Sequence, residues 1–95
     1  MKHLWLVCYD VHNNKRRTKL AKALERHCQR VQYSVFECPL DRETLLNLAQ
    51  KEWLKYINLK EDSLRAYPLP PQLALEQVKV WGGRPVYEKP DYLIY

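Results

Sequence analysis

Residues Leu4-Trp5-Leu6-Val7-Cys8-Tyr9 form an almost unbroken apolar run that closes on one carboxylate, Asp10, before Val11. A run of this length, rich in aromatic and branched residues, reads as a strand buried on both faces. Side chains alternate along a strand, so Leu4, Leu6 and Cys8 point one way and Trp5, Val7 and Tyr9 the other. The fold must therefore cover two apolar faces of one strand. A carboxylate near the end of such a strand is costly unless a metal ion, a helix N-terminus or a cation pairs with it. Asp10 is the first residue to question about function.

The strand spans roughly residues 3–11. A helix follows over about 15–27, with Leu20, Leu24 and Cys28 as its apolar stripe and Ala21 and Ala23 beside it. Asn13 or Asn14 caps its start. Residues 30–40 read by pattern as one strand, with Val31, Tyr33 and Val35 on one face and Gln32, Ser34, Phe36 and Cys38 on the other. Pro39 ends that strand or marks an edge. Asp41 caps a second helix that runs to about Tyr56, with Glu43 and Thr44 in its first turn and Leu45, Leu48, Ala49, Trp53 and Tyr56 as its buried stripe. Another strand covers 62–68, and the prolines to Pro71 break the chain. A short last strand at 78–81 stops at Gly82-Gly83, and the tail to Tyr95 is extended and packs on something.

Strands with two amphipathic helices make an α+β sheet with helices on one face. Helices can cover only one side of the sheet, and 95 residues are too few to supply a second sheet. A homodimer packed through the open sheet faces resolves the conflict.

Composition narrows the classes further. The chain is 46% hydrophobic, which excludes a disordered segment. A formal net charge of +5 and a pI near 9.2 suit a polyanionic partner. Three cysteines with no C-x-x-C spacing argue against a disulfide framework and against a zinc site, and are expected to be buried reduced thiols in a cytoplasmic protein. No secretory signal is expected, and no run approaches the ~18 apolar residues of a membrane span. The chain lacks a glycine-rich phosphate loop, a Ser-His-Asp order and H-E-x-x-H. It also lacks the glycine-aromatic signature of an RNA-recognition domain, so Tyr33 and Phe36 read as core rather than as a platform for bases.

Asp10 is the sole acid before Glu25. Magnesium is held by one or two carboxylates with waters and substrate phosphates, so one Asp10 makes a thin site and two copies at a twofold axis make a credible one. The structural alternative is that Asp10 caps the next loop and pairs with Arg16 or Arg17. His12 lies two residues on and is a base near a phosphate or an exposed loop residue; His3 and His27 read as structural. Lys15, Lys19, Lys22 and Arg26 line one helix face beside Arg16 and Arg17. That stripe is a phosphate-tracking surface or an ordinary solvated face.

Tyr9-Asp10-Val11, Lys15-Arg16-Arg17, the run Arg30-Val31-Gln32-Tyr33-Ser34-Val35-Phe36-Glu37-Cys38 and Asp62-Ser63-Leu64-Arg65-Ala66-Tyr67 occur in an order and spacing that resembles the small CRISPR-associated adaptation protein, the Cas-two endonuclease family. The likeness spans nearly the whole chain, and the Arg30–Cys38 run is its most specific part. It implies a ferredoxin-like β-α-β-β-α-β fold over 1–81 in which 30–40 splits into two strands near Tyr33-Ser34. An extension at 82–95 would pack on the partner subunit of a homodimer. It further implies that Asp10 is the catalytic metal ligand for Mg2+, and that the activity is cleavage of single-stranded RNA or duplex DNA. The implied cellular role is spacer integration with the CRISPR integrase; the alternative is a non-catalytic DNA-binding scaffold of that complex. Two departures stand out. Asn13 and Asn14 occupy positions where many members carry acids, which weakens metal affinity, and Cys28 stands where many have glycine at the end of the first helix.

Overall fold

The computed structural model describes residues 3–69 together with 79, 81 and 82. Its elements are strand β1 (His3–Asp10), helix α1 (Asn14–Glu25), strands β2 (Gln29–Gln32) and β3 (Val35–Leu40), helix α2 (Arg42–Leu48) and strand β4 (Ser63–Pro68). A π-helical turn (Ala49–Trp53) and a 3-10 turn (Leu54–Tyr56) extend α2. The strands form a four-stranded antiparallel sheet in the order β2-β3-β1-β4, with β1 and β3 central. The domain is the expected ferredoxin-like α+β fold, with the 30–40 run split into two strands. The last strand expected at 78–81 and the tail to Tyr95 lie outside the described residues, apart from Lys79, Trp81 and Gly82, which belong to no helix or strand.

The caps are the ones the sequence supplies. Asn13 accepts from the Arg16 backbone N–H at 2.9 Å, and Asp41 accepts from that of Thr44 at 2.7 Å. Trp5, Val7 and Tyr9 of β1 pack with Phe36, Cys38 and Leu40 of β3 against Leu20, Ala21, Ala23 and Leu24 of α1, with Leu45 and Trp53 completing the core. The Trp5 indole N–H donates to the Leu40 carbonyl at 2.9 Å, which satisfies its polar edge inside the core. The second helix departs from the expected single α-helix: its backbone widens into the π turn that delivers Trp53, the bulkiest fully buried side chain.

The β2–β3 hairpin turns on Tyr33-Ser34. Two-residue loops of the usual hairpin types need positive φ, and among the described residues no non-glycine residue has it. The register instead slips at Val31: Arg30 pairs with Phe36, and Gln32 with Val35. This bulge corrects the alternation read from sequence, because Gln32 and Val35 now share a face while Val31 is the inserted residue. Pro39 lies beyond the part of β3 that β2 pairs with, where a missing N–H disturbs no ladder on that edge.

The cysteines require a correction. Cys28 and Cys38 are joined in a disulfide, their Cα atoms 4.3 Å apart, and Cys8 is the free thiol. Spacing rules see only a sequence separation of 10, whereas the β2–β3 hairpin folds the exit of α1 back onto β3. Cys28 also closes α1 without a glycine: its N–H and that of His27 both donate to the Leu24 carbonyl, and the C-cap Arg26 stays in the right-handed helical region.

Candidate functional site

Asp10 is the last residue of β1, opposite Ser63 of β4. By strand alternation it shares a face with Cys8 and Leu6, on the side of the sheet away from the helices. Their cross-strand partners complete that face: Val35 and Arg65 beside Cys8, Glu37 and Tyr67 beside Leu6. The double-sided apolarity of β1 thus becomes one face in the core and a second on which Leu4 is fully buried and Leu6, Cys8 and Val35 are half-buried. Asp10 stands at the end of this second face with its side chain 80% exposed, and its ionisable neighbour is His12, whose Nε2 lies 4.0 Å from Oδ2.

Arg16 and Arg17, the arginines expected to pair with Asp10 in the structural alternative, are engaged elsewhere. Arg16 donates through Nη2 to Glu61 Oε1 at 3.0 Å and to Asp62 Oδ2 at 2.8 Å. Arg17 donates to the Val11 carbonyl at 2.9 Å and to the Asn14 side-chain oxygen. Asp62 was not singled out as a site residue by sequence reasoning, because no local pattern marks a contact 46 residues away. Its carboxylate has no exposed side-chain surface and also accepts from the backbone N–H groups of His12 at 3.0 Å and Asn58 at 2.9 Å. Burial pushes that carboxyl up, but the two N–H groups and the Arg16 guanidinium outweigh it and hold it at about 2. The same contacts raise the Arg16 guanidinium above its ordinary value. Asp62 therefore clamps the loop that follows Asp10 to the segment that precedes β4.

The basic stripe divides in two. Arg16, Arg17 and Arg26 are tethered, Arg26 to Glu52 at 3.5 Å, and His27 also faces Glu52 at 3.9 Å. Lys15, Lys19 and Lys22 are exposed on α1 and make no ion pair among the described residues.

Among the described residues no three His, Cys, Asp or Glu side chains gather to cage an ion. A single exposed carboxylate at the end of a strand does fit the sparse protein ligation that magnesium accepts, provided a second carboxylate comes from another copy.

The geometry is that of a ferredoxin-like domain with an exposed acid at the end of its first strand and a lysine stripe on the helix that follows. The family model for CRISPR associated protein Cas2 matches residues 2–73. The chain is 62% identical over 90 residues to a CRISPR-associated endoribonuclease Cas2 of Synechocystis sp., covering 95% of this chain and 96% of that one. It superposes on the crystal structure of Streptococcus pyogenes Cas2 with a TM-score of 0.69 at 32% identity, over 83% of this chain and 99% of that one. A chain of a partial Cas6-RT-Cas1–Cas2 complex matches with a TM-score of 0.64 at 33% identity, over 94% of this chain and 100% of the other. The chain belongs to the CRISPR-associated protein Cas2 family. Among the described residues no helix is long and apolar enough to cross a membrane.

Proposed function

We propose that two copies of this chain pair through their open sheet faces and act as a magnesium-dependent endonuclease on single-stranded RNA, as part of spacer integration with the CRISPR integrase in the cytoplasm. The observation that carries the reading is Asp10 itself: an exposed carboxylate that no lysine or arginine pairs with among the described residues, at the end of the sheet face that a second copy would cover. The likeness to a named endoribonuclease and to a chain of a Cas1–Cas2 complex supports the activity and the partner. Covering Leu6, Cys8 and Val35 with the same face of a second copy brings two sheet ends, each carrying one Asp10, into a single assembly. The two Asp10 carboxylates would hold the ion, which when bound supplies charge neutralisation at a scissile phosphate and lowers the pKa of a bound water. Asp62 keeps the His12 backbone in place and holds Arg16 away from Asp10, so Asp10 stays accessible. Lys15, Lys19 and Lys22 would track the backbone phosphates leading to it, flanked by Arg16, Arg17 and Arg26.

A second reading has its own observation. One acid per chain is a minimal donor set, and the lysine stripe alone suffices for a DNA-holding scaffold of the integrase complex that does not cut. Cleavage assays of wild type and Asp10→Asn on RNA and on duplex DNA, with and without magnesium, separate the two. The nuclease reading expects magnesium-dependent products that Asp10→Asn abolishes; equal cleavage by both proteins refutes the role of Asp10. Light scattering should give the mass of a dimer at micromolar concentration.

A further inference from the structure

Tyr33 was expected in the core, yet 68% of it is exposed. A residue so large and so open on a two-residue turn is unusual unless something holds it there. The holding group is Arg30, whose guanidinium lies 5.4 Å from the centroid of the Tyr33 ring and 5.4 Å from that of Phe36. Arg30 also donates through Nε to the Tyr33 carbonyl at 3.0 Å and through Nη2 to the Tyr9 hydroxyl at 3.2 Å, and that hydroxyl donates to the same carbonyl at 3.3 Å. The ring is thus backed on one side by a cation fixed to the core, with most of its surface open to solvent.

Tyr33 forms one wall of a groove of about 270 Å3 between α1 and the β2–β3 turn. Arg17, Lys22 and Arg30 line it, Thr18 adds a hydroxyl, and Glu25 is its one acid. The volume falls just below the ~300 Å3 at which pockets for free small molecules begin, so it suits one unit of a longer polymer. The polymer it suits carries alternating anions and flat rings, because cations and an exposed aromatic face share its wall. Lys22 belongs both to the groove and to the exposed lysines of α1, and the groove's turn is bonded to β1 one residue before Asp10, through the Tyr9 N–H donating to the Ser34 carbonyl at 3.1 Å.

We infer that this groove is a single-nucleotide subsite in which an unpaired base stacks on Tyr33 while its flanking phosphate lies against Lys22 and Arg17, so that the site selects single strands over duplexes. The base faces of a duplex are already stacked on one another and are closed to Tyr33; those of a single strand are open. The inference deepens the endonuclease reading, since it names the feature that makes the substrate single-stranded, and it rests on that reading only for the relation to Asp10.

The test measures binding in full-length Asp10→Asn protein, so that cleavage does not interfere. A labelled unstructured RNA and an RNA–DNA duplex of equal length are titrated by anisotropy against this background alone, with Tyr33→Phe and with Tyr33→Ala. Tyr33→Ala should weaken single-strand binding about ten-fold, the loss of one stacked base, and change duplex binding by less than about two-fold. Tyr33→Phe keeps the ring and should bind within about two-fold of the background protein. Equal single-strand affinity in Tyr33→Ala, an equal loss on the duplex, or a Phe variant as weak as the Ala variant would each overturn the assignment. Melting curves confirm folding, which truncation of so exposed a ring should preserve. Cleavage by wild-type protein with magnesium is run in parallel: its absence refutes the nuclease reading, while the binding comparison still decides the subsite.

Discussion

The lysine stripe offers the sharpest quantitative test. Lys15, Lys19 and Lys22 are exposed on one face of α1 and carry no ion pair among the described residues, so each is available to a phosphate. Seven residues of helix at ~1.5 Å rise separate the first from the last, about 10.5 Å, which spans roughly three phosphates of one duplex strand at ~3.4 Å each. Replacing all three by alanine removes three contacts without loss of helix propensity. Each phosphate contact contributes about 0.7 to the slope of log affinity against log salt on a single strand and about 0.9 on duplex DNA. The triple variant should therefore show slopes shallower by about 2 on single-stranded RNA and by about 2.7 on duplex. Between 50 and 200 mM salt, wild-type affinity should fall about 20-fold further than that of the variant on a single strand, and about 40-fold further on duplex. Anisotropy titrations at several salt concentrations, in the Asp10→Asn background, read both slopes. Lys51→Ala, an exposed lysine on the π turn, serves as the control and should leave them unchanged. Parallel lines for wild type and triple variant would refute the argument, whatever the affinity at any single salt concentration.

Other features give separate predictions. The folded Asp62 carboxyl titrates at about 2, below the ~3.9 of an unfolded aspartate, so its contribution is complete above the unfolded value and is lost as pH falls from about 4 towards 2. Urea midpoints of wild type should exceed those of Asp62→Asn at neutral pH and converge with them across that acid window; a constant gap would show that the charge of Asp62 is irrelevant. Reduction of the Cys28–Cys38 bridge should lower stability by roughly 3 kcal/mol, the loop-closure value for a loop this short. A Cys28→Ser/Cys38→Ser variant should show no response to reductant, and a response there would locate the redox sensitivity at Cys8 instead. Trp53 is 1% exposed, and its indole N–H has no partner among the described residues. Trp53→Phe, which removes that N–H, should cost less than Trp53→Ala, for which about 3–5 kcal/mol is expected; equal losses would contradict the packing role assigned to the ring.

The parts of this molecule written in local pattern were legible in the sequence. The apolar run to Asp10, the caps Asn13 and Asp41, and the stripe Leu20 and Leu24 each follow from a period or a side chain that acts within one turn. The hairpin at Tyr33-Ser34 was not legible from pattern, because it lacks the glycine or asparagine that announces a tight turn and closes with a bulge at Val31 instead. That one inserted residue reverses the alternation, and Tyr33, read as a core aromatic of a continuous strand, lies on the turn instead. The disulfide and the Asp62 clamp were hidden for a different reason. Each joins elements that meet only after the sheet has formed, and sequence spacing carries no trace of the meeting.

The asparagines that replace acids after β1 can now be read physically. Asn13 accepts the Arg16 backbone N–H as the cap of α1, and Asn14 accepts from the Arg17 side chain. Aspartates there could accept the same bonds but would add negative charge within two residues of His12. With asparagines the bonds remain and the charge is absent, while Glu61 and Asp62 supply from across the fold the carboxylates that occupy Arg16. The acids near β1 are thereby sorted: the Asp62 side chain is covered and committed to structure, and Asp10 is exposed with only the His12 imidazole, 4.0 Å away, as an ion-pair neighbour among the described residues. A site arranged in this way cannot raise its metal affinity by recruiting neighbours from the same loop. In the proposed dimer its strength would depend on how closely a second Asp10 is brought in, so the packing of Leu6, Cys8 and Val35 between the two sheet faces and the binding of the ion would form one linked equilibrium.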